Sequence, residues 1–155
     1  MDEGEKEMGA YRKIVCATRG GKASKKTEER AIEIAKATNA KLIFIHIVNT
    51  DLDFLKSSTG KLVLDTVQDD LRECGRLILS MAQNRAKKAG INAKSEMREG
   101  IISEQIGEFL RKRKDIHLLV MGCTTDEGKS SVGKARELAE KIRTDLGIDV
   151  LLLED

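Results

Sequence analysis

Two runs of nearly continuous apolar residues constrain the fold of this chain more than any other feature. "KLIFIHIV" (41–48) and "IHLLVMG" (116–122) are strand-sized and consist mainly of Leu, Ile, Val, Phe and Met. A strand with one face in water alternates apolar and polar residues, whereas a strand covered on both faces is apolar throughout. The two runs therefore predict strands of a parallel sheet with helices packed on both of its faces.

Helical periodicity alternates with these and other strand-like runs along the chain. The clearest helix has Leu64, Val67, Leu71 and Cys74 at three- and four-residue spacings, which is the pattern of one face packed on a sheet. The pattern predicts a doubly wound, Rossmann-like α/β fold with a five-stranded parallel sheet and right-handed crossovers. The predicted strands are 13–18, 41–48, 91–97, 116–122 and 148–154, and the predicted helices are 24–39, 62–89, 102–114 and 131–146.

The length and composition of the chain indicate one globular domain. Its 155 residues suffice for a single core, here predicted over 11–155, and the acidic, apolar-poor residues 1–10 are expected to form a disordered extension. The apolar runs are shorter than the roughly 20 residues of a membrane helix. A net charge of +2 and an aromatic content of 3% give no reason to expect nucleic-acid binding. We therefore expect no membrane or nucleic-acid partner.

The cysteines and histidines argue against a dedicated enzyme or a metal site. The three cysteines have no metal-binding spacing, and their odd number fits a reducing compartment, which with the acidic N-terminus predicts a cytoplasmic protein. His46 and His117 fall inside apolar strands, where a packed, hydrogen-bonded role is expected. No nucleophile–histidine pairing can be assembled from them, so we predict no catalytic residues and no metal ligands.

The loop after the fourth predicted strand has two interpretations. Gly122 to Ser130 reads G-x5-G-K-S, one residue longer than a P-loop, and it lies between a strand and a helix. In one interpretation the glycines form a turn and Ser130 or Ser131 caps the helix. In the other, Lys129 and the helix N-terminus bind an anion together with the basic loop "TRGGKASKK" (18–26), which follows the first strand. On the last helix, Glu137 and Lys141 are interpreted as a solvated pair one turn apart.

Four stretches together resemble the universal stress protein family. They are "YRKIVCATRGG", "KLIFIHIVNT", "REGIISEQIGEFLRKRKDIHLLVMG" and the final short strand, and they span about residues 11–154. The resemblance implies a sheet of strand order 3-2-1-4-5 and assembly into homodimers. The final strand (149–154) would lie at the edge of that sheet, where an uncovered apolar strand invites pairing with a second copy.

Nucleotide-binding members of the family carry an acidic residue at the end of strand 1 and the spacing G-x2-G-x9-G-[ST] after strand 4. In this chain Gly122 matches the first glycine, but Thr125 stands at the second and Ala135-Arg136 stand in place of the final pair. Arg19 stands where the acidic residue is expected. The resemblance implies a binding site at the strand ends, where the candidate residues are Ala17, Thr18, Arg19, Ile47, Met121 and Gly122. The P-loop-like sequence adds Gly128, Lys129, Ser130 and Ser131 as candidates, rather than the family's glycine spacing.

The function predicted on this basis is that of a cytoplasmic, dimeric binding or regulatory module in stress response. Its ligand is expected to be ATP or another phosphorylated small molecule, with Mg²⁺ present only together with a nucleotide. One alternative is a weak ATPase that uses the 122–131 loop. Another is a phosphoacceptor receiver domain, but the chain has Arg19 and "SEMREG" where that fold needs acidic residues.

Overall fold

A computed structural model of the chain describes residues 12–49, 61–123 and 129–154. The acidic extension predicted at 1–10 lies outside the described residues, as does Gly128. The strands are β1 (Lys13–Ala17), β2 (Lys41–Val48), β3 (Lys94–Glu99), β4 (Leu118–Cys123) and β5 (Asp149–Glu154), and the helices are α1 (Gly21–Thr38), α2 (Lys61–Lys88), α3 (Ile102–Lys112) and α4 (Lys129–Leu146).

The five strands form one parallel sheet of order β3-β2-β1-β4-β5. This arrangement confirms the predicted fold class and strand order. β1 is central: Ile14 is in register with Leu42 of β2 and with Leu118 of β4. The strand order reverses at β1, because the chain moves outward to one side through β2 and β3 and returns to the other side for β4 and β5. In such sheets ligands bind outside the carboxyl ends of the strands at this reversal.

Alternate residues of the central strands supply two cores, one on each face of the sheet. On one face, Val15 and Leu119 pack with Ile106 of α3 and Ile142 of α4. The other face is covered by α1 and α2, whose side chains pack against Ile14, Cys16, Phe44 and Val120. Burial on both faces explains why β2 and β4 are apolar throughout. None of the described helices combines the length and apolar character needed to cross a membrane.

Most predicted boundaries agree with the structure to within two residues, and two do not. The third strand was predicted over 91–97 but occupies Lys94–Glu99, because Ile91 closes the end of α2 through a 2.8 Å hydrogen bond from its N–H to the Ala86 carbonyl. The first helix begins at Gly21 rather than at 24. Gly20, with φ of +81°, turns the chain directly from the end of β1 into this helix.

Gly75 packs the helix α2 directly against β2 and β3. A β-carbon built at this residue would lie 2.9 Å from the His46 Cδ2 atom and 3.0 Å from the Met97 Sδ atom. His46 is fixed in place, because its ring Nδ1 is 2.8 Å from the Thr18 carbonyl oxygen, to which it must donate. The absence of a side chain at Gly75 therefore sets the distance between α2 and the β2–β3 half of the sheet.

We expect Gly75→Ala to destabilise the protein, whereas the matched helical substitution Gly133→Ala stabilises it. Alanine improves helix propensity by about 0.5–1 kcal/mol at either position. At Gly133 an added β-carbon meets no described atom within 4 Å, but at Gly75 it forces His46 to move, a type of overpacking that costs about 1–3 kcal/mol. Urea denaturation of the two variants checks this. Equal changes in unfolding free energy would contradict the proposed close packing.

Candidate functional site

A pocket of about 630 Å³ lies at the carboxyl ends of the strands, where the strand order reverses. Its floor is apolar and its walls come from the first turns of α1 and α3 and from one side of α4. A volume of this size is typical of small-molecule sites. The described lining residues are Ala17, Thr18, Arg19, Ala23, Ser24, Thr27, Ile45, Ile47, Asn49, Ile101, Ile102, Ser103, Ile106, Met121, Gly122, Cys123, Lys134, Ala135, Glu137, Leu138 and Lys141.

Six of the ten predicted site residues line this pocket. They come from three strand ends that are distant in sequence, and they are Ala17, Thr18, Arg19, Ile47, Met121 and Gly122. Gly128 lies outside the described residues. Lys129, Ser130 and Ser131 form the first turn of α4, and their side chains lie outside the described part of the structure.

Gly122 is required by helix packing as well as by its place at the pocket. A β-carbon there would lie 2.5 Å from the Thr27 Oγ1 atom of α1. The Thr27 hydroxyl is itself held by the Ala23 carbonyl at 3.2 Å. Both Gly122 and Thr27 line the pocket, so this close contact fixes the separation of α1 and β4 along one of its walls.

Every backbone and side-chain polar group of Thr18 is hydrogen-bonded. Its N–H donates to the Ile45 carbonyl at 2.9 Å, and its carbonyl accepts from His46 Nδ1. Its hydroxyl donates to the Glu28 carboxylate, which is 1% exposed. The residue is therefore immobilised at the point where β1 leaves the sheet, and the following loop is held by a 3.1 Å hydrogen bond from the Arg19 N–H to the Ser24 Oγ atom.

Glu28 and Arg85 form a buried ion pair beneath this loop. The Arg85 Nη1 atom of α2 contacts the Glu28 Oε1 atom of α1, and the arginine side chain is 29% exposed. The carboxylate also accepts the Thr18 hydroxyl. A buried charge without such partners is strongly unfavourable, so the pair joins α1, α2 and the end of β1 into one unit.

The turn from β3 into α3, which leads into the pocket wall at Ile101, is fixed by a bidentate ion pair. Arg72 Nε and Nη2 donate to the two carboxylate oxygens of Glu99 at 3.0 and 2.9 Å. The hydrogen bond from Arg72 lowers the pKa of Glu99 below its ordinary value of 4.5. Because the folded pKa is lowered, this contact contributes stability above that value and loses it as the pH falls through the folded pKa.

Neither the histidines nor Cys16 provides a reactive group at the pocket. Cys16 is fully buried, burial raises the pKa of its thiol well above the ordinary value, and the neighbouring Glu28 carboxylate raises it further. His46 is bound to the Thr18 carbonyl, and His117 Nδ1 accepts the Arg12 N–H at 3.3 Å. Both histidines thus have the packed, hydrogen-bonded role that the sequence predicts. Within 12–49, 61–123 and 129–154, no three His, Cys, Asp or Glu side chains converge as a metal site.

The sequence analysis predicted a contribution from the start of α4 but missed the contribution of its side. Lys134, Glu137 and Lys141 line the pocket, although the last two were interpreted as a solvated pair. Both side chains are exposed, as that interpretation expects, but among the described contacts no ion pair joins Glu137 to Lys141. Their three- and four-residue spacings place all three residues on one face of the helix, which was a usable signal. Ile101 and Ile102 were also missed, although the 98–102 loop follows a predicted strand.

Comparisons with known proteins agree on one family. The sequence profile of the Universal stress protein family matches residues 10–151. The universal stress protein MJ0531 of Methanocaldococcus jannaschii is 32% identical over 118 residues, which cover 76% of this chain and 68% of that protein.

Solved structures of the same family share the fold. The universal stress protein UspA of Lactobacillus plantarum superposes with a TM-score of 0.75 at 18% identity, over 92% of this chain and 97% of that one. A universal stress protein in complex with cAMP superposes with a TM-score of 0.62 at 24% identity, over 93% of this chain and 97% of its own.

We expect Arg85→Met to be much more destabilising than Arg76→Met on the same helix. Loss of Arg85 leaves the buried Glu28 carboxylate without its cation, which costs about 3–5 kcal/mol. Arg76 pairs with Glu73 on an exposed surface, where such pairs contribute about 0–1 kcal/mol. Chemical denaturation of both variants checks the difference. A loss below about 1 kcal/mol for Arg85→Met would contradict the structural role assigned to the pair.

Proposed function

Because the chain belongs to the universal stress protein family, we propose that it is a binding and regulatory module in stress response whose pocket holds a nucleotide. The observation that carries the proposal is the pocket itself: it lies where the strand order reverses, and it combines an apolar floor with cationic walls. The cAMP complex of a related protein supports a nucleotide as the ligand.

The chemistry of the pocket fits the two halves of a nucleotide. Ala17, Ile45, Ile47 and Met121 present apolar surface from three adjacent strands, which suits a flat base. The walls carry three cationic side chains, from Arg19, Lys134 and Lys141, and one carboxylate, from Glu137. The excess of two positive charges among the described residues favours a ligand with an anionic group.

The finer form of the proposal is that ATP is the ligand, with Mg²⁺ entering only with the nucleotide. The phosphates would then contact Gly128, Lys129, Ser130 and Ser131 at the start of α4. Two features of a helix N-terminus support this, namely its free N–H groups and its partial positive charge. The role proposed is binding rather than catalysis, since neither His46 nor His117 is among the described residues that line the pocket. Weak ATP hydrolysis remains the alternative.

We further propose a cytoplasmic homodimer that pairs through β5. This strand lies at the sheet edge, and its leucines pack toward both faces: Leu152 against one core, and Leu151 and Leu153 against the other. All three remain only half-buried in the single chain. In a dimer related by a two-fold axis, the β5 strand of each copy would cover the β5 strand of the other.

We expect ATP to bind more tightly than AMP, because only the triphosphate extends to the start of α4. One charge-assisted contact contributes about 1.5–3 kcal/mol, so Lys129→Ala should weaken ATP binding by about tenfold to a hundredfold. Gly128→Val should weaken it at least as much by blocking approach of the backbone. Titration calorimetry measures both, with Lys112→Ala as the charge-matched control on α3.

Three outcomes of that titration separate the alternatives. Absence of heat from wild-type protein with every nucleotide at millimolar concentration would refute nucleotide binding. Equal affinities for ATP and AMP would refute only the triphosphate contact and leave residues 122–131 as a connection without a phosphate-binding role. Phosphate release from ATP and Mg²⁺ above background, abolished by Lys129→Ala, would favour the ATPase.

We expect light scattering at micromolar concentration to give about twice the chain mass of 17.2 kDa. Leu151→Lys should produce a monomer, because a charged side chain on an edge strand opposes pairing. The same substitution at Leu77, which is 61% exposed on α2, is the matched control and should leave the dimer intact. A monomeric wild-type protein would contradict the proposed assembly.

A further inference from the structure

One face of α4 presents an alternating charge pattern to the pocket. Lys134, Glu137 and Lys141 lie three and four residues apart around the buried Leu138, and all four line the pocket. The two lysines are two helical turns apart, roughly 10 Å along the axis. They are thus part of the same pocket wall, separated by one carboxylate.

The lysines of this face have no counterion in the described part of the chain. Elsewhere on α4, Arg143 donates to Glu140 at 2.7 Å and to the Val150 carbonyl at 2.6 Å. Across 12–49, 61–123 and 129–154, by contrast, neither Lys134 nor Lys141 has a hydrogen bond or an ion pair. Two unpaired cations therefore face the pocket, while the nearby Arg143 on the same helix is paired.

Beyond its first turn, the backbone of α4 has no free N–H groups that could bind an anion in place of these side chains. Ala135 and Arg136, which stand in place of the family's glycine and serine, lie within the helix rather than in a loop. Only the first four N–H groups of a helix are free, and residues 135 and 136 are beyond them. The connection from β4 to the helix consists of five residues, 124–128. An anion beside residues 134–141 must be held by side chains.

We infer that Lys134 and Lys141 bind the anionic group of the nucleotide from the side of α4, and that Glu137 limits the negative charge the site accepts. This inference rests on the proposed nucleotide binding and names the residues that determine the charge preference. The chemical class is a nucleotide carrying at least a monophosphate. An uncharged nucleoside would contact only the apolar floor of the pocket and would gain no affinity from the lysines.

The test is a comparison of AMP and adenosine binding to four variants of the 155-residue chain. We expect Lys134→Gln and Lys141→Gln each to weaken AMP binding by about threefold to tenfold and to leave adenosine binding unchanged. Glu137→Gln should strengthen AMP binding, because it removes a negative charge from the same wall. Arg136→Gln is the control: it carries the same charge change as the lysine variants, at a residue of α4 that does not line the pocket.

The sign of each change decides the inference. If Arg136→Gln weakened AMP binding as much as the lysine variants do, the loss would come from the net charge of the protein. That result would overturn the assignment of Lys134 and Lys141. Equal loss of adenosine and AMP affinity would attribute it to the shape of the pocket instead. Raising the salt concentration should reduce the difference between wild type and the lysine variants, since exposed charges are screened. Failure of wild-type protein to bind either ligand would refute the proposed function itself.

Discussion

The central position of β1 is the constraint on which the rest of the structure depends. Its two neighbours, β2 and β4, lead the chain in opposite directions across the sheet, so the helices that follow β1 and β4 cover opposite faces and leave a crevice between them. Thr18 lies at the open end of β1 and is bound by Ile45, His46 and Glu28. A pocket at this place therefore follows from the topology, and the hydrogen bonds at Thr18 give it a rigid edge.

Charged residues have two different roles around that edge. Glu28 is buried and must be neutralised, which Arg85 does from a second helix, and Arg72 similarly fixes Glu99 beside the next turn. Both pairs hold loops in place, but only the Glu28–Arg85 pair does so at the cost of desolvating a buried charge, since Arg72 and Glu99 are partly exposed. The lysines of α4 have no such partner among the described residues, so their charge remains available to a ligand. Paired charges thus hold the loops around the pocket in place, whereas Lys134 and Lys141 line the pocket without a partner among the described residues.

The amino-acid pattern predicted the fold well because the burial of the strands is recorded locally, in runs such as 41–48 and 116–122. The pocket residues at the ends of β1, β2 and β4 were predictable once the strands were identified, because the carboxyl ends of parallel strands meet at one edge of the sheet. The ion pair of Glu28 was not predictable, because "TEER" reads as a solvated helix turn and its partner Arg85 is 57 residues away. Lys134 and Lys141 were missed because a charged helix face points into water or into a pocket depending only on what packs beside it.

In the proposed site, the short connection before α4 would change the physical basis of anion recognition. A glycine-rich loop binds phosphate through backbone N–H groups, which are uncharged dipoles fixed in direction. Here five residues separate the helix from β4, and the positions of the family's final glycine and serine fall inside the helix as Ala135 and Arg136. Their N–H groups are committed to the helix. Recognition from this wall must then depend on flexible side chains with full charges, whose attraction has a longer range but less directional precision and weakens with salt. A pocket of this kind discriminates ligands by charge more than by phosphate geometry.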